Sequence, residues 1–176
     1  MILVNEADEA TGTAEKMEAH LKGMLHRAFS VFIFDIKGRM LLQQRAAQKY
    51  HGGLLWTNAC CSHPYPGEEV KAAAHRRLEE ELGFDTELEK AFHFTYKASV
   101  ENGLTEHEYD HVFIGTYNGP VIPVKEEVAD YCYQELEEIK KGLSKHPGKF
   151  TAWFRLAFPR VEALWKELEA RKNCVV

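Results

Sequence analysis

Residues 28–35 form an almost unbroken apolar run that contains several aromatic and β-branched side chains. A turn follows at Ile36-Lys37-Gly38, and residues 39–45 alternate less cleanly between apolar and polar positions. Short continuous apolar runs that end at turn residues are typical of strands buried on both faces. The pattern therefore predicts a hairpin in a sheet that is covered on both sides.

Five further segments have the pattern of strands or helices. Strand-like runs at residues 88–100 and 106–117 are joined by Glu101-Asn102-Gly103, a strong hairpin turn signal. Helices are expected at residues 68–82, which end at Gly83, at residues 134–143, and at residues 152–171. Thr151 can cap the last helix, and Pro159 is expected to kink or split it. The order of elements predicts a mixed sheet with helices against its faces, an α/β or α+β fold.

Composition fits one globular domain and limits its partners. The 176 residues suffice for one ordinary domain and are too few for two full ones. The net charge of −5 gives no reason to expect nucleic acid or an anionic membrane as a partner, and no segment approaches the roughly 20 apolar residues of a membrane helix. Four cysteines do not make a disulfide framework in a chain of this size. We therefore expect free thiols and a cytoplasmic protein.

The helix predicted at residues 68–82 carries two charged residues on its apolar side. The apolar stripe consists of Val70, Ala74, Leu78 and Leu82. At about 100° per residue, Arg77 and Glu81 fall inside that stripe. A charge on the core side is costly unless it is paired or bound to a metal or ligand. Because the two residues are spaced i,i+4, an internal salt bridge and a ligand site both fit.

Carboxylates also cluster in the strand predicted at residues 106–117. An extended backbone places Glu106, Glu108 and Asp110 on one face. These charges repel one another unless a cation lies between them, although an exposed acidic strand edge would have the same pattern. Three histidines beside well-marked elements would complete a metal site, namely His20, His26 and His63. Nitrogen and carboxylate ligands together suit Mn, Zn or Fe, whereas an all-oxygen site suits Mg.

Cys61 and several basic residues flank the same candidate region. A buried inert thiol is the commonest fate of a cysteine. Beside a metal-bound histidine and basic groups, the pKa of the thiol would fall and Cys61 would become a usable acid or base. Lys16, Arg45 and Lys49 are scattered in sequence, and each alone fits solvated surface. Together they fit what binding of a diphosphate requires.

One longer motif is the spacing Ser62-x5-Glu68-x7-Arg76-Arg77-Leu78-x-Glu80-Glu81-x-Gly83-Phe84. It resembles the Nudix box, G-x5-E-x7-R-E-U-x-E-E-x-G-U with U aliphatic, except that Ser62 replaces a glycine and Arg77 replaces a metal-binding glutamate. The block Leu55-Trp56-Thr57-Asn58-Ala59-Cys60-Cys61-Ser62-His63-Pro64 extends the match. With both features, the chain resembles the type I isopentenyl diphosphate isomerases over nearly all of residues 3–160. This resemblance implies a single Nudix-type domain over residues 1–176, with its core at about residues 26–165.

The resemblance implies two metal sites and a diphosphate site. One divalent metal, Mn, Zn or Mg, would be bound by His20, His26, His63, Glu106 and Glu108. One Mg that accompanies the substrate diphosphate would be bound by Glu81 and the main-chain carbonyl of Cys61. The diphosphate oxygens would contact Lys16, Arg45, Lys49 and Arg77. No flavin is expected.

The resemblance also implies the interconversion of isopentenyl diphosphate and dimethylallyl diphosphate through a tertiary carbocation. Glu108, assisted by the Tyr96 hydroxyl, would protonate the alkene, and the Cys61 thiolate would remove a proton from the neighbouring methylene. Trp153 would stabilise the cation through its ring face. Trp56 would line the pocket together with Tyr96 and Trp153, and the N-terminal segment would close over the substrate and exclude water.

Two other functions fit parts of the sequence. A Nudix hydrolase would cleave a diphosphate with a Mg-activated water, but Arg77 replaces one metal ligand, and Cys61 and the histidines would have no task. In a non-catalytic metal-binding or interaction module the metal would be structural only. For the isomerase we expect a monomer or a weak dimer with a small-molecule substrate.

Overall fold

The computed structural model describes residues 1–173. Within that range, one sheet contains nine strands, and four α-helices accompany it. The strands are β1 (Ile2–Val4), β2 (Ala10–Thr13), β3 (His26–Phe34), β4 (Met40–Arg45), β5 (Trp56–Thr57), β6 (Cys60–Ser62), β7 (Leu88–Ser99), β8 (Thr105–Thr116) and β9 (Val128–Gln134). The helices are α1 (Lys16–Lys22), α2 (Val70–Leu82), α3 (Leu136–Lys145) and α4 (Ala152–Asn173). The predicted class, a mixed sheet flanked by helices, is confirmed.

The sheet is mixed because its longest strands pair across a large distance in sequence. β8 pairs antiparallel with β7 through the predicted turn, and it pairs parallel with β3 from His26↔Glu108 to Phe34↔Thr116. β3 is flanked on its other side by β6, which runs antiparallel to it. β4 pairs with β5 and β9 instead. The hairpin predicted between β3 and β4 therefore exists only at its closed end, at the pair Phe34↔Met40.

Both faces of β3 are buried, as the continuous apolar run predicted. Phe29 and Ile33 point to the face that α2 covers, where they pack in a cluster with Leu78. Phe32 and Phe34 point to the opposite face and pack in the cluster that contains Phe154, Phe158 and Val161 of α4. The sheet thus lies between two layers of helix.

Helix α2 follows the sequence pattern closely. It begins after Glu69, whose side chain accepts a hydrogen bond from the Lys71 backbone N–H at 3.0 Å, and it ends at Gly83, which adopts φ 70°. Ala74, Leu78 and Leu82 of the predicted stripe are buried, and so is Glu81. The structure therefore confirms that this glutamate lies on the core side.

The last helix contains Pro159 in its interior. α4 continues from Ala152 to Asn173 and is not split at Pro159. A proline removes one backbone donor from a helix interior, but the residues around it, Phe158 and Val161, are buried against the sheet. Packing on both sides of Pro159 keeps the helix in one piece.

Several elements were absent from the sequence-based prediction, namely α1, β1, β2, β5, β6 and β9. Among the described residues, Cys60, Cys61 and Cys132 are free thiols, as expected, while Cys174 lies outside that range. No helix in the described part of the chain is both long enough and apolar enough to cross a membrane.

Candidate active site

Strand register brings the predicted catalytic residues to one face of the sheet. In the parallel pair β3–β8, His26 lies opposite Glu108, and in the antiparallel pair β7–β8, Tyr96 lies opposite the same glutamate. Cys61 on β6 lies opposite Ser30 of β3. Paired residues point to the same side of a sheet, and this is the side that α4 covers. Cys61 and Glu108 therefore reach the same space from strands on either side of β3.

Three histidines and a glutamate converge at the end of that face. One ligand atom from each of His20, His26, His63 and Glu106 lies within 4.8 Å of all the others. Glu108 adjoins them, because its Oε1 is 2.9 Å from His63 Nε2 and 3.6 Å from His26 Nε2. The structure thus brings together all five residues that the resemblance assigned to one metal.

The backbone sets the tautomer of two of these histidines. His20 Nδ1 is 2.6 Å from the Lys16 carbonyl oxygen, and His26 Nδ1 is 2.8 Å from the Met24 carbonyl oxygen. A carbonyl can only accept, so each Nδ1 carries the proton and each Nε2 presents its lone pair to the cluster. Histidines that bind a metal through one ring nitrogen typically donate a hydrogen bond from the other, as these two do from Nδ1.

The cluster also contains buried polar atoms whose bonding is incomplete. Within residues 1–173, His26 Nε2 and Glu106 Oε2 are buried and have no hydrogen-bond partner. An unpaired buried acceptor costs roughly 1–3 kcal/mol, and a divalent cation would satisfy both atoms at once. The donor set, nitrogen with carboxylate, is one that Mn or Zn accepts. The residues present therefore fit a metal ion.

The pKa values of Glu108 and Asp110 on β8 are shifted in opposite directions. Burial would raise the pKa of Glu108, but the imidazoles of His26 and His63 hold that pKa well below its usual range. Asp110 accepts a hydrogen bond from Ser30 Oγ at 2.8 Å, yet burial and the charge of Glu108 raise its pKa well above the usual range. These shifts favour the ionised form of Glu108 in the cluster and the neutral form of Asp110 deeper in the core.

A cleft beside the cluster is lined by basic side chains. It contains about 580 Å³ of empty space, a volume that includes open solvent at its mouth. The predicted diphosphate contacts all line it, namely Lys16, Arg45, Lys49 and Arg77. Partial burial and the Lys49 ammonium lower the pKa of Lys16, as expected where cations are crowded. Such a group of cations favours an anionic ligand.

The charged pair on α2 is part of this cleft. Arg77 Nη2 donates to Glu81 Oε1 at 2.6 Å and lies 3.3 Å from Glu127 Oε2. Gln43 Nε2 holds the other oxygen of Glu81 at 3.0 Å. Glu127 also forms an ion pair with Lys49. Arg77 and Glu81 therefore form the internal salt bridge that their spacing allows, and both line the cleft. Ligand binding by this pair stays a prediction.

Cys61 and Trp153 line the same cleft. Burial raises the pKa of the Cys61 thiol to about 12, although the Arg45 guanidinium, with Nη1 at 3.9 Å from Sγ, acts in the opposite direction. The side chains by themselves therefore keep Cys61 protonated at neutral pH, and the fall of its pKa beside a metal-bound histidine stays a prediction. The Arg45 guanidinium lies over the Trp153 ring at 5.2 Å, so this ring face already meets a cation.

Several residues that line the cleft were missed in the sequence, among them His51 and Glu127, and two residues predicted to line it do not. His51 is buried, and its Nε2 lies 2.5 Å from Glu106 Oε1, while Glu127 pairs with two predicted diphosphate ligands. The sequence pattern did not single out Glu127, and the only signal for His51 is that it follows Lys49 by two positions. Trp56 was predicted to line the pocket, but it lines a different groove with Phe150, because it faces the α3 side of the sheet edge. Tyr96 was also predicted to line the pocket, but it lies behind Glu108 and donates a hydrogen bond to that residue.

Comparison with known proteins identifies the family. A NUDIX domain model matches residues 24–154. The isopentenyl-diphosphate Delta-isomerase of Pectobacterium atrosepticum is 47% identical over 173 residues, which cover 98% of this chain and 97% of that protein. Isopentenyl-diphosphate Delta-isomerase 2 of Photorhabdus laumondii is 50% identical over 155 residues, 88% of each chain. The chain belongs to the isopentenyl-diphosphate Delta-isomerase family.

The solved structures that resemble this isopentenyl-diphosphate Delta-isomerase family member show its fold. A MutT protein from Methanosarcina mazei superimposes with a TM-score of 0.65 at 21% identity, over 79% of this chain and 94% of that one. An Ap4A hydrolase from C. elegans superimposes with a TM-score of 0.59 at 19% identity, over 81% and 98%. The Nudix fold is therefore shared with hydrolases, and the residues of the cleft must decide the chemistry.

Proposed function

We propose that this protein interconverts isopentenyl diphosphate and dimethylallyl diphosphate in a metal-dependent reaction. The observation that carries the proposal is the meeting of Cys61 and Glu108 in one cleft that basic side chains also line. A double-bond shift needs two acid/base groups at the hydrocarbon end of the substrate and cations at its diphosphate end. The cleft has both.

The four basic side chains of the cleft would bind and orient the diphosphate. Lys16, Arg45 and Lys49 approach the cleft from different elements, and Arg77 approaches it from α2. Their separate origins allow contacts on several sides of the anion, which fixes its position better than one residue would. Glu127 forms ion pairs with Lys49 and Arg77 and so neutralises part of this positive charge. The diphosphate would compete with Glu127 for these two side chains.

We infer the metal sites from the family resemblance. His20, His26, His63, Glu106 and Glu108 would bind one divalent ion, Mn, Zn or Mg, and Glu81 with the Cys61 carbonyl would bind a Mg ion that accompanies the diphosphate. When bound, these ions supply positive charge that favours the ionised carboxylates and the diphosphate. Tyr96 donates to Glu108 Oε2 at 2.7 Å, which leaves Oε1 facing the histidines.

Two proton transfers complete the reaction. One proton is added to the terminal carbon of the alkene, which leaves a tertiary carbocation, and one is then removed from the neighbouring methylene, so no net proton is consumed. Cys61 and Glu108, with the Tyr96 hydroxyl beside the latter, exchange these protons. Trp153 faces the cleft and would stabilise the cation by cation–π attraction worth up to about 2 kcal/mol in a desolvated site.

The pKa directions bear on the order of the two transfers. Burial raises the pKa of Cys61 to about 12, and the histidines lower the pKa of Glu108, and both shifts favour a proton on Cys61 over one on Glu108. The order predicted from the sequence, with Glu108 as the first donor, requires that proton to pass to Glu108 beforehand. The opposite order, with Cys61 as the donor and Glu108 as the acceptor, requires no such transfer.

Proton NMR in deuterated water tests the proposal. Wild-type protein with Mg and isopentenyl diphosphate is expected to produce deuterated dimethylallyl diphosphate, and Cys61→Ala and Glu108→Gln are expected to abolish it. Cys132→Ala is the matched control, because this free thiol lies outside the cleft. Unchanged substrate with wild-type protein would reject the isomerase, and release of phosphate in the same tube would favour a hydrolase.

A further inference from the structure

His51 is held beside the metal cluster by a loop that is hydrogen-bonded to the turn between β7 and β8. The loop of residues 46–55 joins β4 to β5, and two of its backbone groups bond to the turn between β7 and β8. Gly52 N–H donates to Glu101 Oε2 at 3.0 Å, and Asn102 Nδ2 donates to the Tyr50 carbonyl at 2.9 Å. The His51 carbonyl accepts a further bond, from Arg45 Nη2 at 3.1 Å. The backbone on both sides of His51 is therefore fixed.

The His51 ring is fixed as well. It stands edge-on to Tyr50 at 4.4 Å and edge-on to Trp153 at 6.0 Å between ring centroids. Only 4% of the residue is exposed. Its Nε2 lies 2.5 Å from Glu106 Oε1, the same oxygen that lies 3.3 Å from His20 Nε2. A carboxylate oxygen can only accept, so His51 Nε2 carries the proton in this contact.

The position of His51 separates it from the metal-binding set. The four atoms within 4.8 Å of one another come from His20, His26, His63 and Glu106, and His51 is not among them. His51 instead contacts one member of that set, because its Nε2 lies 2.5 Å from Glu106 Oε1. This contact restrains the orientation of the Glu106 carboxylate, whose second oxygen is buried and has no partner within residues 1–173.

We propose that His51 is a positioning residue that orients Glu106 for metal binding through the hydrogen bond from Nε2 to Oε1. The inference rests on the proposed metal site. Hydrogen bonds to ligating carboxylates fix their rotamers, and loss of such a partner typically weakens metal binding or activity 10- to 100-fold. His51 therefore contributes to metal affinity without contacting the ion or the substrate.

Metal affinity in His51 variants tests this role. In His51→Gln the side-chain amide nitrogen replaces Nε2 as a donor, in His51→Asn the donor lies too far from Glu106, and in His51→Leu the donor is absent. The dissociation constants of Mn²⁺ alone and Zn²⁺ alone would be measured by competition with a chelating dye. We expect them to rise about 10- to 100-fold in the Asn and Leu variants and to stay within about threefold of wild type in the Gln variant.

Controls separate positioning from packing and from failure of the proposed function. His146→Gln, at an exposed histidine outside the cleft, is expected to bind metal like wild type. Wild-type affinity in both the Asn and Leu variants, or equal loss in the Gln and Asn variants, would overturn the inference. If the Leu variant fails to fold, the comparison of Gln with Asn still decides. Absence of metal binding and of isomerisation in wild type would instead reject the proposed function.

Discussion

Removal of the Tyr96 hydroxyl is the most direct test of how Glu108 is used. The Tyr96 hydroxyl donates to Glu108 Oε2 at 2.7 Å, and the exposed fractions of these residues are 6% and 8%. A hydrogen bond to a buried charged group contributes about 1.5–3 kcal/mol. At about 1.4 kcal/mol for each tenfold change in rate, Tyr96→Phe should lower kcat roughly 10- to 150-fold if the bond acts mainly in the transition state. KM for isopentenyl diphosphate should stay within about twofold, because Tyr96 does not line the cationic cleft.

The assay is steady-state isomerisation followed by NMR or by radiolabelled product, across pH. Loss of a donor to the carboxylate raises the pKa of Glu108, so the acidic limb of the kcat profile should move to higher pH. Tyr109→Phe is the matched control, since it removes the same atom from a buried tyrosine on the opposite face of β8. An unchanged kcat in Tyr96→Phe, or a raised KM with normal kcat, would refute the reasoning.

Three further predictions concern stability. Chelation of divalent metal should lower Tm, and metal restored at about 100 times its dissociation constant should return about 2.7 kcal/mol of stability, measured by thermal unfolding; equal Tm values would contradict a metal site. Gly115→Ala should lose about 1–3 kcal/mol in urea unfolding, because a Cβ would lie 2.7 Å from the Glu87 carbonyl, whereas Gly12→Ala has open space and should change little. Burial opposes ionisation of Asp35, but hydrogen bonds from the Arg39 backbone N–H and guanidinium lower the pKa of Asp35. The ionised Asp35 therefore stabilises the folded protein above the unfolded pKa of about 3.9. This stabilisation is lost as the pH falls through the folded pKa. Asp35→Asn should therefore destabilise the protein at neutral pH and progressively less below about pH 4, and a pH-independent difference would disprove this account.

Local patterns in the sequence predicted the elements that local physics determines. The helical period of α2 and the Glu101-Asn102-Gly103 turn between β7 and β8 were both found as expected. α3 lies two residues later than predicted, at Leu136–Lys145. Short elements were missed because they owe their structure to partners elsewhere in the chain. β6 has only three residues, Cys60–Ser62, and it is a strand because β3 lies beside it.

The candidate site was partly predictable because its residues have unusual chemistry for their positions. Alternation placed Glu106 and Glu108 on one face, and the helical wheel placed Arg77 and Glu81 on the core side; the structure confirms both placements. The roles of these residues stay predictions, as do the identity of the metal and the monomer or weak dimer. No comparable indication exists in the sequence for His51. Its contact with Glu106 depends on the folded position of the loop, which the local pattern does not predict. The direction of the Cys61 pKa also depended on burial, which the sequence could not specify.

The parallel pairing of β3 with β8 makes the metal cluster a test of correct folding. His26 and Glu108 are direct partners in that ladder, and they are far apart in the chain. Side chains alternate from face to face along a strand, so a slip of one residue would turn Glu106 and Glu108 towards α2 and away from the histidines. The ligands therefore come together only in the sheet register that the structure shows. A divalent ion that binds this cluster would therefore stabilise the native strand register and would not stabilise a register shifted by one residue.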